Sequence, residues 1–152
     1  MMTEAEQREK VITTAQSFLR TPYHHRGMTR AGLDCATLIL LCAMAAEIVP
    51  TGESLPYYPF QWNVNASRES LIDFIRKFCP EFPGPPKPAS LVVWKMGRTF
   101  SHGAIVVKWP MCIHAKAGSG VEWVDAEKDN QLAMLGDEPR PRLFFDHWYK
   151  PW

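Results

Sequence analysis

The sequence lacks a long hydrophobic run, which argues against a membrane-spanning helix. Its most apolar stretch, residues 36–46, is far shorter than the roughly 20 residues that cross a bilayer. The first ten residues are rich in charge and no apolar segment follows them, unlike a secretory signal. We therefore expect a protein made in the cytoplasm, with no membrane insertion.

The sequence also lacks an excess of charge of either sign. It has 17 Lys and Arg against 16 Asp and Glu, a net charge of +1, so no field favours nucleic acid as a partner. Its four cysteines form no C-x-x-C pair, which argues against a structural zinc site. Without a signal peptide they predict reduced thiols. We expect neither a metal nor another cofactor.

Internal repeats and low-complexity segments are absent as well. Of the 152 residues 46% are hydrophobic and 22% are charged, which is typical of a globular protein. This length provides one domain, residues 1–152, with a core of its own.

The segment that organises the rest of the chain is residues 32–47. From residue 36 to residue 46 it is apolar on every face except at Thr37, which indicates a buried helix. Asp34 provides an N-cap or first-turn acid, so Cys35 lies at the N-terminal end of this central helix. Unpaired N–H groups and the positive end of the helix dipole favour a thiolate there.

The remaining elements follow in the order helices, then strands. Thr3 and Glu6 form a capping box for a helix over residues 3–19, and Ser67 caps a second helix over residues 66–79. Between them, residues 55–62 form an aromatic loop that walls a cleft or caps the core. After residue 90 the pattern predicts strands at residues 91–94, 101–107, 111–115, 120–124 and 142–145. This order predicts an α+β fold with an antiparallel sheet packed on the buried helix.

Two histidines of this sheet are candidates to serve the cysteine. His102 opens one predicted strand and His114 closes the next, and an imidazole beside a thiol is the arrangement of a cysteine nucleophile with its base. If both share a face, His114 lies opposite Ala104, which requires a bulge or an odd-length loop. A two-residue hairpin would instead pair His114 with Ile105, on the opposite face.

Other residues of these types have simpler interpretations. Cys42, Cys79 and Cys112 are expected to be inert packing residues of the core. His24 and His25 lie in a polar loop, where solvated histidines are usual, and whether either lines the site stays open.

Four blocks of the sequence together resemble a known family. The segments TPYHHRG (21–27), GLDC (32–35), SHGAIV (101–106) and CIHA (112–115) are similar to signature blocks of the NlpC-type cell-wall peptidases. These are papain-like cysteine peptidases that cut peptidoglycan stem peptides, commonly between D-glutamate and diaminopimelate. The match is nearer to a branch found in phage and prophage tail genes, which tends to carry a histidine at the position of His25 and an aromatic-proline block like LPYYP (55–59).

The resemblance implies a role for five residues. Cys35 matches the nucleophile, His102 the general base and His114 the third polar residue that orients it. Tyr23 matches a tyrosine near the cysteine, and Asp34 an acid that holds the free amine of the substrate. It further implies a papain-like fold, stem peptides as the substrate, tail proteins as partners and a place in the virion.

The sequence departs from the family pattern next to the nucleophile. The usual Asp-Cys-Ser-Gly is DCAT (34–37), which removes one hydroxyl from the pocket wall and adds another one step later at Thr37. These departures bear on substrate choice more than on reaction class. Three alternatives stay open: a structural tail-tip protein with a vestigial site, a secreted toxin amidase, and a papain-like amidase acting on a small metabolite.

Overall fold

The computed structural model describes residues 1–55, 58 and 69–151. Its helices are α1 (Glu4–Ser17), α2 (Cys35–Ala45), α3 (Ser70–Arg76) and α4 (Asn130–Ala133). The capping box of α1 and the central helix α2 are confirmed. The predicted helix 66–79 contains α3, whereas its predicted cap Ser67 lies outside the described residues, as does most of the aromatic loop. Within the described part of the chain, no helix is both long enough and apolar enough to span a membrane.

The strands form one six-stranded antiparallel sheet and two small two-stranded sheets. The strands, in chain order, are β1 (Met28–Thr29), β2 (Gly32–Leu33), β3 (Glu81–Phe82), β4 (Leu91–Met96), β5 (Thr99–Lys108), β6 (Met111–Lys116), β7 (Gly120–Asp125), β8 (Met134–Leu135), β9 (Glu138–Pro139) and β10 (Arg142–Phe145). The six-stranded sheet has the order β3-β10-β4-β5-β6-β7, and the small sheets are β1-β2 and β8-β9. The prediction of an α+β fold with an antiparallel sheet is confirmed.

The sheet has an apolar cluster on each face. The larger cluster contains most of α2 together with Val93, Ile105 and Ile113. The smaller cluster lies on the opposite face and includes Trp94 and Ala104. All four cysteines are buried and free, as expected for the three assigned to packing.

Strand β5 runs close to α2 because it carries a glycine at the point of contact. A Cβ atom at Gly103 would lie 2.9 Å from Cδ1 of Ile39 on α2, closer than side chains normally approach. The glycine therefore lets the main chain of β5 come near the beginning of α2, where Cys35 lies.

A bulge sets the register between β5 and β6. Ile105 pairs with Ile113 and Val106 with Cys112, but Lys108 pairs with Met111, so one residue of β5 has no partner. Extending this register by one residue puts His114 opposite Ala104. The condition predicted for His102 and His114 to share a face of the sheet is thus fulfilled.

Candidate active site

The beginning of α2 is held by a reciprocal cap. Oδ1 of Asp34 accepts a hydrogen bond from the backbone N–H of Thr37 at 2.9 Å, and Oγ1 of Thr37 accepts one from the N–H of Asp34 at 2.9 Å. Because the Thr37 hydroxyl closes this cap, it belongs to the helix end. The extra hydroxyl expected on the pocket wall is therefore used structurally.

The second oxygen of Asp34 gathers the loop that precedes the helix. Oδ2 accepts hydrogen bonds from the backbone N–H of Arg26 at 2.8 Å and from the Tyr58 hydroxyl at 2.5 Å. Asp34 is only 2% exposed, so its buried carboxylate links the loop before α2 to the beginning of the helix. The role in holding a substrate amine stays a prediction.

Cys35 is enclosed and lies against the main chain of β5. Its Sγ donates to the Ser101 carbonyl at 3.6 Å, and the N–H groups of Gly103, Ala36 and Cys35 itself also interact with the sulfur. Ser101 and Gly103 flank His102, so the sulfur touches the backbone on both sides of the residue predicted to be its base. No hydrogen bond joins the sulfur to the His102 ring among the described contacts.

Burial decides the resting charge of the thiol. Desolvation, and then the nearby Asp34 carboxylate, raises the pKa of Cys35 to about 12. Backbone N–H groups oppose this shift only in part. The resting group at neutral pH is therefore the thiol.

His102 and His114 meet directly. Nε2 of His102 lies 2.8 Å from Nδ1 of His114, and the His102 ring stacks on Trp94 with 5.9 Å between the ring centroids. Burial, with a contribution from His114, lowers the pKa of His102 to about 3, and burial also lowers the pKa of His114. Both imidazoles are neutral at pH 7. The structure thus brings the two predicted histidines together, with their rings fixed.

Tyr23 and His25 lie at the margin of the site. Tyr23 forms a backbone bridge with Leu33, and burial, followed by its neighbours Cys35 and Asp34, raises the pKa of its hydroxyl above the ordinary range. Nε2 of His25 lies 3.1 Å from the Tyr58 carbonyl oxygen, and its Nδ1 lies 3.9 Å from Oδ2 of Asp34. His24, by contrast, is an exposed loop residue. Of the two histidines left open, His25 therefore borders the site.

Glu122 is a site residue that the sequence analysis missed. Its Oε2 lies 2.8 Å from Nε2 of His114, and the two residues are paired across β6 and β7. The signal was the tight connection after β6: Lys116 pairs with Gly120, and moving two residues away from this turn along each strand gives His114 and Glu122.

A small cavity adjoins the two histidines. It has a volume of about 80 Å³ and is lined, besides the histidines, by Met96, Lys116, Asp129, Gln131 and Leu132. Within the described ranges, no group of three His, Cys, Asp or Glu side chains is arranged to hold a metal ion. The chemistry available is that of a thiol, two neutral imidazoles and a carboxylate.

Solved structures of NlpC/p60 domains share this fold. The NlpC/p60 domain of the peptidoglycan hydrolase SagA aligns with 90% of this chain and 96% of its own at 15% identity, with a TM-score of 0.54. An NlpC/p60 family protein from Bacillus cereus gives a TM-score of 0.60 at 17% identity, over 90% of this chain and 39% of its own. At these identities the likeness shows the fold alone, which confirms the papain-like architecture.

A third similar structure is described as lacking catalysis. RipD from Mycobacterium tuberculosis, a non-catalytic NlpC/p60 domain protein adapted to peptidoglycan binding, aligns with 94% of this chain and 98% of its own. The identity is 15% and the TM-score 0.55. No protein-family model matches the sequence, and no curated protein matches it.

Proposed function

We propose that this protein is a cysteine peptidase that hydrolyses amide bonds in the stem peptides of peptidoglycan. The observation that carries the proposal is the position of Cys35. Its sulfur lies at the beginning of α2 and against the main chain on both sides of His102, whose ring is held by His114. A thiol at a helix N-terminus beside an oriented imidazole is the arrangement that activates a cysteine nucleophile.

The reaction would proceed through a thioester. His102 accepts the thiol proton as Sγ of Cys35 attacks the amide carbonyl, and the same proton passes to the leaving amine as the C–N bond breaks. Water then attacks the thioester with His102 as base, which releases the carboxylic acid and restores the thiol. The N–H of Cys35 is the candidate donor to the oxyanion.

The finer parts of the proposal concern substrate and location. The resemblance of the blocks around Tyr23 and Cys35 supports cleavage next to D-glutamate and before diaminopimelate. The likeness of the TPYHHRG block to the tail-gene branch supports a phage or prophage tail as the place of action, with tail proteins as partners. Digestion of diaminopimelate-type and lysine-type walls side by side tests the first part, and immunodetection in purified virions tests the second.

The experiment that tests the reaction is digestion of purified peptidoglycan with wild type, Cys35→Ala and Cys42→Ala. Cys42 is a second buried cysteine of the same helix and serves as the matched control. We expect stem-peptide fragments, detected by mass spectrometry, from wild type and Cys42→Ala but none from Cys35→Ala. Release of the same fragments by Cys35→Ala would contradict the proposal. So would the absence of fragments from wild type on several types of cell wall.

A second candidate function is binding of peptidoglycan without cleavage. It is favoured by the enclosed, neutral Cys35 thiol, which is 6% exposed, and by the likeness to the non-catalytic RipD domain. In that case wild type and Cys35→Ala sediment equally with insoluble peptidoglycan, and neither releases fragments.

A further inference from the structure

We infer that Glu122 is a positioning residue that fixes the tautomers of His114 and His102, so that Nδ1 of His102 carries a free lone pair. The kinetic consequence of this inference rests on the proposed peptidase function. Its structural consequence, the tautomer of each ring, does not.

The tautomers follow from the end of a hydrogen-bond chain. A carboxylate only accepts hydrogen bonds, so the contact of 2.8 Å between Oε2 of Glu122 and Nε2 of His114 requires the proton on Nε2. His114 is a neutral imidazole, so its Nδ1 then carries no proton and accepts. The contact of 2.8 Å from that Nδ1 to Nε2 of His102 therefore places the His102 proton on Nε2.

The reversed chain is excluded by its last member. If His102 accepted through Nε2, His114 would have to donate through Nδ1 and accept through Nε2. Glu122 as a carboxylate has no proton to offer it. Only one direction satisfies both contacts, and it leaves Nδ1 of His102 as an acceptor.

This acceptor lies on the side of the ring that is nearer the main chain. Nδ1 is bonded to Cγ, whereas Nε2 lies at the far end of the ring. Sγ of Cys35 contacts the main chain next to His102, at the Ser101 carbonyl, 3.6 Å away, and at the Gly103 N–H. The lone pair set by Glu122 is therefore on the main-chain side of His102, where the sulfur contacts the two neighbouring residues.

The other polar groups around His114 are engaged elsewhere. Nζ of Lys116 donates to Oε1 of Gln131 at 2.7 Å, and Asp129 caps α4 by accepting from the N–H groups of Gln131 and Leu132. Glu122 thus holds Nε2 of His114, and it does so from a side chain that is 37% exposed. Its replacement is accordingly tolerable to the fold.

The experiment is long-range ¹H–¹⁵N NMR of full-length protein labelled with ¹⁵N-histidine, on wild type, Glu122→Leu and Glu122→Gln. In wild type we expect protonated Nε2 and unprotonated Nδ1 on both rings. Glu122→Leu removes the acceptor, so both rings should become mixtures of tautomers. Glu122→Gln should restore the wild-type pattern, because the amide oxygen still accepts.

A matched control and a kinetic measurement complete the test. Glu127 accepts from the Trp109 ring N–H at 2.7 Å, and none of its hydrogen bonds in the described part of the chain involves a histidine, so Glu127→Gln should leave the imidazole signals unchanged. With peptidoglycan, kcat of Glu122→Leu should fall roughly 10-fold or more with little change in KM, and Glu122→Gln should recover most of it.

Two results would overturn the inference: protonated Nδ1 on His102 in wild type, or unchanged tautomers in Glu122→Leu. Either can be read from a protein that cleaves nothing. A failure of the proposed reaction, in contrast, would appear as the absence of fragments with the tautomers as expected.

Discussion

The two sides of the candidate site are held by different means. On the helix side, the main chain that carries Cys35 and Asp34 is held by a contact close in sequence, the cap between Asp34 and Thr37. On the sheet side, His102, His114 and Glu122 come from three strands and meet only because the registers of two hairpins align them.

The difference also concerns charge. On the helix side, burial raises the pKa of the Cys35 thiol, and on the sheet side it lowers the pKa of the two imidazoles. The thiol and both imidazoles are therefore neutral at rest, and no thiolate–imidazolium pair is stored in the resting protein. Proton transfer from the thiol to an imidazole would therefore have to accompany attack on the substrate.

The neutral state of the Cys35 thiol should show most strongly in its rate of alkylation. With its pKa raised to about 12, Cys35 should react with iodoacetamide at pH 7 roughly 3,000-fold more slowly than an unperturbed cysteine, whose pKa is about 8.5. The rate should rise about tenfold per pH unit from pH 7 to pH 10. Peptide mapping by mass spectrometry at each pH measures it. Fast labelling that is flat with pH would instead reveal a preformed ion pair.

Loss of the Asp34 side chain should destabilise the helix side of the site. Asp34→Ala removes the N-cap and the carboxylate oxygen that accepts from the Arg26 N–H and the buried Tyr58 hydroxyl, so we expect a loss of roughly 3–5 kcal/mol in the free energy of unfolding. Asp129→Ala is the control, since it removes the cap of the short helix α4. Urea denaturation should show a loss below about 1 kcal/mol there. Equal losses would mean that Asp34 is only a cap.

A comparable experiment probes the sheet side through acid. The unfolded chain binds a proton at His102 near pH 6.5, whereas the folded pKa is about 3, so stability falls as the pH falls between these values. When the pH is lowered from 7 to 4, the free energy of unfolding of His102→Gln should fall by roughly 3 kcal/mol less than that of wild type. His24→Gln, at an exposed histidine, is the control. Urea denaturation at both pH values measures this difference. An equal loss of unfolding free energy in wild type and His102→Gln would contradict the prediction.

The smallest effect lies where the two sides touch. Gly103→Ala places a methyl group against Cδ1 of Ile39, and we expect a loss of roughly 1–2 kcal/mol in the free energy of unfolding. Ile39→Val removes that terminal carbon, so the double variant should be more stable than the sum of the two changes predicts. A double-mutant cycle of unfolding free energies from urea denaturation measures this coupling. Strictly additive losses would show that the contact with Cδ1 of Ile39 is not the cause of the loss in Gly103→Ala.

Local patterns were enough to predict most of the regular elements. The capping box of α1, the buried helix α2 and the strand β10 at residues 142–145 each depend on residues close in sequence. The two-residue strands β1, β2, β3, β8 and β9 and the single turn of α4 were not predicted, because they are too short to produce a periodic pattern.

The candidate site was predictable to a smaller extent. Cys35 and the two histidines were identified from residue type and position, and the structure confirms that the histidines meet. Glu122 was missed because its contact requires the register of β6 on β7, which residue type alone does not indicate. The use of Thr37 in the cap was missed because a threonine inside an apolar run also fits a pocket wall.

The bulge between β5 and β6 decides on which face of the sheet the side chains of β6 lie. If Lys108 and Met111 closed a regular two-residue hairpin of the same length, His114 would pair with Ile105 and would leave the face that carries His102. Because β7 is paired to β6, Glu122 would turn with it. Deleting Val107, the residue of β5 without a partner in the ladder, would instead remove the bulge and keep Val106 paired with Cys112. A functional variant without the bulge should therefore also be one residue shorter in this hairpin.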